Sequence, residues 1–251
     1  MSHVVFSSTA LRGTNKVGKI TPDADGYYTL VLGGLNTFNS GGAYYQLAGA
    51  EHLFKESSIF MRRVKDGNLY AELTHPEKTS LMTARDWLMR VLKIDYKNVC
   101  AHIKEVRLDN ESVKGEDGQP VLAIIGKVKP HGPHAKLMQD ALENNCQNVC
   151  FSIRSLTEDV QQGNVLVKTL QTIVTFDLVI EPGIATAKKW FSPALESLIE
   201  PFVITKEYLS GLVYPNNDGV AMESTVSVEG ILDELGWKQS PKTQIRTLDW
   251  K

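Results

Sequence analysis

Apolar and polar residues alternate with a strand period, or recur with a helix period, over most of the first 180 positions. Residues 27–35 read as a strand closed by glycines, and 36–45 as a turn-rich loop. Between 45 and 63, Leu47, Ala50, Leu53 and Phe54 fall at helical spacing and predict a helix. Leu69, Ala71 and Leu73 alternate through 68–77, a strand that stops at His75-Pro76, because proline cannot continue a ladder. Residues 83–94 predict a helix with Thr83 as N-cap and a face of Ala84, Trp87, Leu88 and Val91. Two strands follow at 98–108 and 120–130, parted by a polar, glycine-bearing loop. Pro133 opens and Asn144-Asn145 close a helix within 131–145. Strand-rich segments then flank the turn at 161–164, which predicts a hairpin. Beyond about residue 200 the pattern fades, with room for one short helix. The chain therefore divides into a body, 1–200, and a C-terminal appendage or tail, 201–251. The body is α+β, a mainly antiparallel sheet or barrel with helices in its connections.

Composition narrows the function classes. Of 251 residues, 42% are hydrophobic and 22% charged, enough for a packed core. A net charge of −2 supplies no global basic field, so no nucleic-acid partner is expected. The apolar runs fall short of the ~20 residues of a membrane span, so no membrane partner is expected either. The first residues lack the pattern of a secretory signal. Cys100, Cys146 and Cys150 form no CxxC pair and read as reduced thiols of a cytosolic compartment. No phosphate loop or dinucleotide fingerprint occurs, so no cofactor is implied. His131 and His134 are interrupted by Pro133 with no acidic residue between them, so no metal site is expected.

The candidate chemistry rests on His75, Ser152 and Asp177. In 148–158, Val149, Phe151 and Ile153 alternate with Cys150, Ser152 and Arg154. A hydroxyl and a guanidinium thus share one face of a strand. Asp177 interrupts a very apolar run, where a buried charge requires a partner. A serine hydroxyl is a weak nucleophile that needs a base within reach, and the base needs an acceptor to fix its tautomer. The three residues match those roles. Plainer readings stand beside this one: Ser152 bonded to a neighbouring strand, His75 as a turn histidine, Asp177 paired with Arg154 or a lysine. Ser155 is a second hydroxyl nearby, and Cys150 shares the Ser152 face.

Four segments in order, "AELTHPE", "VKPHGPHAKL", "VCFSIRSL" and "TFDLVIEPG", resemble the prohead core (maturation) proteases of tailed phages, of the large-myovirus and giant-phage type. That resemblance covers roughly residues 25 to 190. It implies a serine endopeptidase on a β-barrel surrounded by helices, similar to the herpesvirus assembly protease. It implies His75 as general base, Ser152 as nucleophile and Asp177 as the residue orienting the histidine. Arg154 is then a candidate, by backbone or side chain, for the oxyanion. The substrates implied are scaffold or core and capsid proteins, cut after glutamate inside the assembling prohead in the host bacterial cytoplasm; self-association is a further implication. The stretch "NTFNSGGAYY" lacks an arginine that the family pattern carries there. Glu196, Glu223 and Glu229 each follow a small or aliphatic residue two positions upstream, and are candidate self-cleavage points. The alternative is a non-catalytic capsid assembly or scaffold protein on the same fold.

Overall fold

A computed structural model of the chain describes residues 3–12, 22–111, 113, 120–144, 146–180, 202–213 and 228–237. In chain order the strands are β1 (His3–Arg12), β2 (Tyr28–Leu35), β3 (Thr37–Phe38), β4 (Tyr44–Gln46), β5 (Tyr70–Glu72), β6 (Val99–Asp109), β7 (Leu122–Pro130), β8 (Cys150–Gln162), β9 (Val165–Val179) and β10 (Phe202–Thr205). The helices are α1 (Ile59–Lys65), α2 (Ala84–Leu92), α3 (Ala135–Glu143), α4 (Lys206–Val213) and α5 (Val228–Glu234). The α+β class holds, and among the described residues all ladders but that of β4 with β9 are antiparallel.

The strands form two sheets, not a single closed one. One has the order β10-β1-β8-β9-β4-β3, with β4 parallel to β9; the other has β2-β7-β6-β5. An isolated parallel bridge, Leu73 to Leu178, joins them beside β5. The main core lies between the sheets and includes Leu32, Leu35, Ile103, Ile124, Phe151, Ile153 and Phe176. Gly33 lets β2 approach β8: a Cβ there would lie 2.6 Å from Ile153 Cδ1. Thus one glycine seats the inward side of the strand whose outward side carries Ser152.

The hairpin β8–β9 is confirmed, turning at Gly163 with φ +58°. The helix at 83–94 is confirmed as α2. Thr83 Oγ1 accepts from Asp86 N and Asp86 Oδ2 accepts from Thr83 N, both at 3.1 Å, a capping box. The single helix expected over 45–63 is instead β4, a 3-10 turn at Glu51–Phe54 and α1. Gly49 at φ +88° and extended Lys55 break the run, and Ser58 starts α1 by accepting from Met61 N at 3.0 Å. The loop expected at 36–45 contains the small β3–β4 hairpin.

A second cluster packs Trp87, Leu88, Val91 and Leu92 of α2 against Leu156 and Val174, and against Leu209, Val228, Ile231 and Leu232. The described parts of the segment after 200 are therefore packed on the body: β10 pairs with β1, while α4 and α5 cover α2 and the outer face of β8–β9. Glu234 closes that contact, accepting from Ile59 N at the start of α1 and from Thr172 Oγ1.

Candidate active site

The chain leaves β5 under tight backbone control. Leu73 N donates to Asn98 O and Thr74 N to Leu178 O, each at 2.8 Å. Between these anchors and His75, Thr74 adopts φ +64°, a conformation that a β-branched residue resists. Pro76 then holds His75 in extended geometry. The imidazole is thus delivered by a strained, over-determined corner. His75 Nδ1 lies 2.8 Å from Asp177 Oδ2, with the histidine side chain 17% exposed and the carboxylate fully buried. A carboxylate can only accept, so Nδ1 carries the proton and Nε2 is left as acceptor.

Ser152 is the direct cross-strand partner of Asp177 in the β8–β9 ladder. Directly opposed residues on one face of an antiparallel pair have Cβ atoms about 4.5–5.5 Å apart. Ser152 and Asp177 therefore project from the same face of the sheet, one ladder step apart. Ser152 is buried, and no hydrogen bond joins its Oγ to His75 in this structure. Ser155 falls on the opposite side of β8, paired with Ile173 of the main core, and its buried Oγ has no partner among the described residues.

Arg154 is fully buried on the Ser152 face. Its Nε donates to Asp177 Oδ2 at 2.8 Å and its Nη2 to Asp177 Oδ1 at 2.6 Å, a fork on the carboxylate. Its Nη1 donates to Glu72 Oε1 at 3.2 Å and Lys93 O at 3.0 Å. The pairing of Asp177 with Arg154 and its contact with His75 are thus both present. Placing the Arg154 side chain at an oxyanion would require breaking these bonds, and its backbone lies inside a ladder paired on both sides, with β1 and β9.

Burial alone would raise the Asp177 pKa; the Arg154 charge and the His75 bond outweigh it and hold the carboxyl below the usual range. Burial alone would lower the Arg154 pKa, and Asp177 and Glu72 reverse that. Cys100, behind this cluster, has its thiol pushed up to about 12, first by burial and then by the Asp177 charge. That makes it a poor thiolate source. Cys150 is buried at the start of β8, in register with Val179.

Glu72 and Arg90 are the residues that pattern reading missed. Glu72 is fully buried and accepts from Arg90 Nη2 at 2.5 Å, Asp95 N at 2.7 Å and Arg154. The alternation in 68–77 assigns Glu72 to a solvent face, yet a helix covers that face. The one signal available was its place three residues before His75. His131 and His134 diverge in role: His131 stacks near Tyr70 at 5.6 Å and His134 precedes α3. Among the described residues no group of three His, Cys, Asp or Glu is placed to hold a metal ion. Among the described residues no helix is long and apolar enough to cross a membrane. Glu196 and Glu223 lie outside the described residues; Glu229 lies in α5.

The chain is 39% identical to the capsid maturation protease of Pseudomonas phage phiKZ over 249 residues, 96% of this chain and 91% of that one. Its structure superposes on the capsid assembly protease of bacteriophage T4 with a TM-score of 0.50 at 11% identity, covering 71% of this chain and 99% of the other. That likeness concerns the fold alone. Residues 6–232 match the model of the Peptidase S80 family. Since that match spans most of the chain, and the phiKZ relative is 39% identical along nearly all of it, the chain belongs to the peptidase S80 family.

Proposed function

We propose that this chain is a serine endopeptidase that matures phage capsids, with His75, Ser152 and Asp177 as its triad. The observation that carries the reading is the placement of Asp177: it binds His75 Nδ1 at 2.8 Å and is the direct cross-strand partner of Ser152. His75 Nε2 takes the Ser152 proton as Oγ attacks the carbonyl carbon of the scissile peptide. Attack requires hydroxyl and imidazole to approach to about 2.6–3.2 Å, a distance that rotation of the Ser152 side chain and seating of a substrate supply. The tetrahedral intermediate collapses with loss of the amine, which receives the proton from His75. Water, deprotonated by His75, then releases the acyl group and restores the hydroxyl. Asp177 holds the imidazole in the correct tautomer and stabilises its cation throughout.

The expected substrates are capsid and scaffold or core proteins within the prohead, by analogy with the phiKZ relative, and cleavage follows glutamate. The chain offers its own targets after Glu196 and, in the tail, after Glu223 and Glu229, so self-processing belongs to the proposal. A peptide copying residues 220–226 (Val-Ala-Met-Glu-Ser-Thr-Val) tests activity and specificity together. The parent should cut it after Glu223. Ser152→Ala and His75→Ala should abolish cutting, and Asp177→Ala should weaken it less. Retained cutting in folded Ser152→Ala protein would overturn the assignment, and cutting at another bond would overturn the glutamate preference. A folded parent that cuts neither this peptide nor a capsid or scaffold substrate would favour the non-catalytic assembly protein.

A further inference from the structure

We infer that Arg154 is a positioning residue of the triad, and that the buried chain Arg90–Glu72–Arg154–Asp177 sets the pH at which His75 becomes a working base. This rests on the triad reading above.

The geometry gives each member a place. Arg154 grips both oxygens of Asp177, so the carboxylate can neither rotate nor slide along β9. It takes up Oδ2, the same oxygen that receives His75, which draws carboxylate charge away from the imidazole. Glu72 pulls back on Arg154 from the other side, and Arg90 from α2 pairs with Glu72 in turn. Lys93 O binds both guanidinium groups, at 3.0 and 3.1 Å. Two cations and two anions thus alternate outward from the histidine, and the set carries no net charge until His75 accepts a proton. The other charged or titratable groups here are Arg63 of α1, buried and repelled by the Arg154 charge, and Cys100 of β6, whose high thiol pKa keeps it neutral. Asp95 contributes its backbone N–H to Glu72.

A purely structural network of this kind would affect folding and the amount of active protein. It would not move a pH profile. The alternation makes signed forecasts instead. Deleting a cation near Asp177 favours the imidazolium, and deleting an anion disfavours it. Because the base must be neutral to act, the first change moves the acid limb of activity to higher pH and the second to lower pH.

The test follows labelling of Ser152 in the full chain by a fluorophosphonate probe, from pH 5 to 9. This needs no knowledge of the peptide substrate. Arg154→Met should move the acid limb up by about one pH unit, the low end of the range for a neighbouring charge. Arg154→Lys keeps the charge but not the fork, so its limb should stay in place while the limiting rate falls roughly tenfold or more. Arg90→Gln, farther out and partly exposed, should move the limb up by a smaller amount. Glu72→Gln should move it down. If Arg154→Met does not fold, the opposed shifts of Arg90→Gln and Glu72→Gln carry the test. Limbs that stay where the parent's lies in these variants, while native unfolding transitions persist, would overturn the inference. A parent labelled at Ser152 with unmoved limbs defeats only the positioning role; a folded parent with no labelling at Ser152 defeats the triad reading itself.

Discussion

Ser155→Ala should stabilise the protein and leave its chemistry intact. The Ser155 Oγ is buried and has no hydrogen-bond partner among the described residues, in register with Ile173 on the core side of β8. An unsatisfied buried hydroxyl costs about 1–3 kcal/mol relative to its hydrated state. Removing one oxygen sacrifices only a few tenths of a kcal/mol of dispersion contacts, at about 0.1–0.2 per atom pair, and opens little space. The net expectation is a gain of about 1 kcal/mol, or roughly 2–4 °C in Tm for a chain of this size. Urea or thermal unfolding measures the gain, and fluorophosphonate labelling measures the chemistry, which should stay within about twofold of the parent. A loss of 1 kcal/mol or more would mean the hydroxyl has a partner that the geometry does not show. Abolished labelling would place the nucleophile at Ser155 and undo the assignment of the Ser152 face.

Three further outcomes follow from the same geometry. Thr74→Gly relieves a positive-φ threonine whose strain costs about 1–3 kcal/mol, against about 0.4–1 kcal/mol of added unfolded-chain entropy; it should raise Tm while lowering kcat, and a lower Tm would refute the strain at this corner. Asp177, held below its ordinary pKa, contributes stability that is fully present above its unfolded pKa of about 3.9 and is lost as pH falls through the lower folded value. The stability difference between parent and Asp177→Asn, from urea unfolding at pH 7, 5 and 3.5, should therefore shrink only at the acid end; a difference constant with pH would mean Asp177 is not ionised in the native state. Cleavage after Glu229 requires unwinding α5, where Val228 and Ile231 are buried, so the first self-cut should fall after Glu223 or Glu196. Intact-mass analysis over time, with Ser152→Ala as control, reads the order, and a first product ending at Glu229 would refute it.

The hydrophobic pattern made the β8–β9 hairpin and α2 with its cap legible, since these are local features with long clean periods; the strand expected to run to His75 is instead the short β5, which ends at Glu72. It also put Ser152 and Arg154 on one face, as the structure has them. Three things were not legible. The break of the 45–63 run depends on the left-handed Gly49 and on Ser58 capping a shorter helix, and neither shows in apolar spacing. The burial of Glu72 depends on α2 lying over the face that alternation assigns to solvent, a tertiary fact. The packing of α4 and α5 was hidden because Leu209, Ile231 and Leu232 belong to short helices whose apolar residues complete the cluster that includes Trp87. The β-rich stretch Val4-Val5-Phe6 also carries a strand signal, and it lies in β1, between β10 and β8 of the six-stranded sheet.

The central claim, that Ser152 is the nucleophile served by His75 on Asp177, is most directly tested by locating a covalent mark. Full-length protein treated with a fluorophosphonate at pH 8 and digested for peptide-mapping mass spectrometry should carry one phosphonyl group, on Ser152. That mark should disappear in His75→Ala protein that remains folded. A mark on Ser155 or Cys150, or undiminished labelling of Ser152 without His75, would contradict the account.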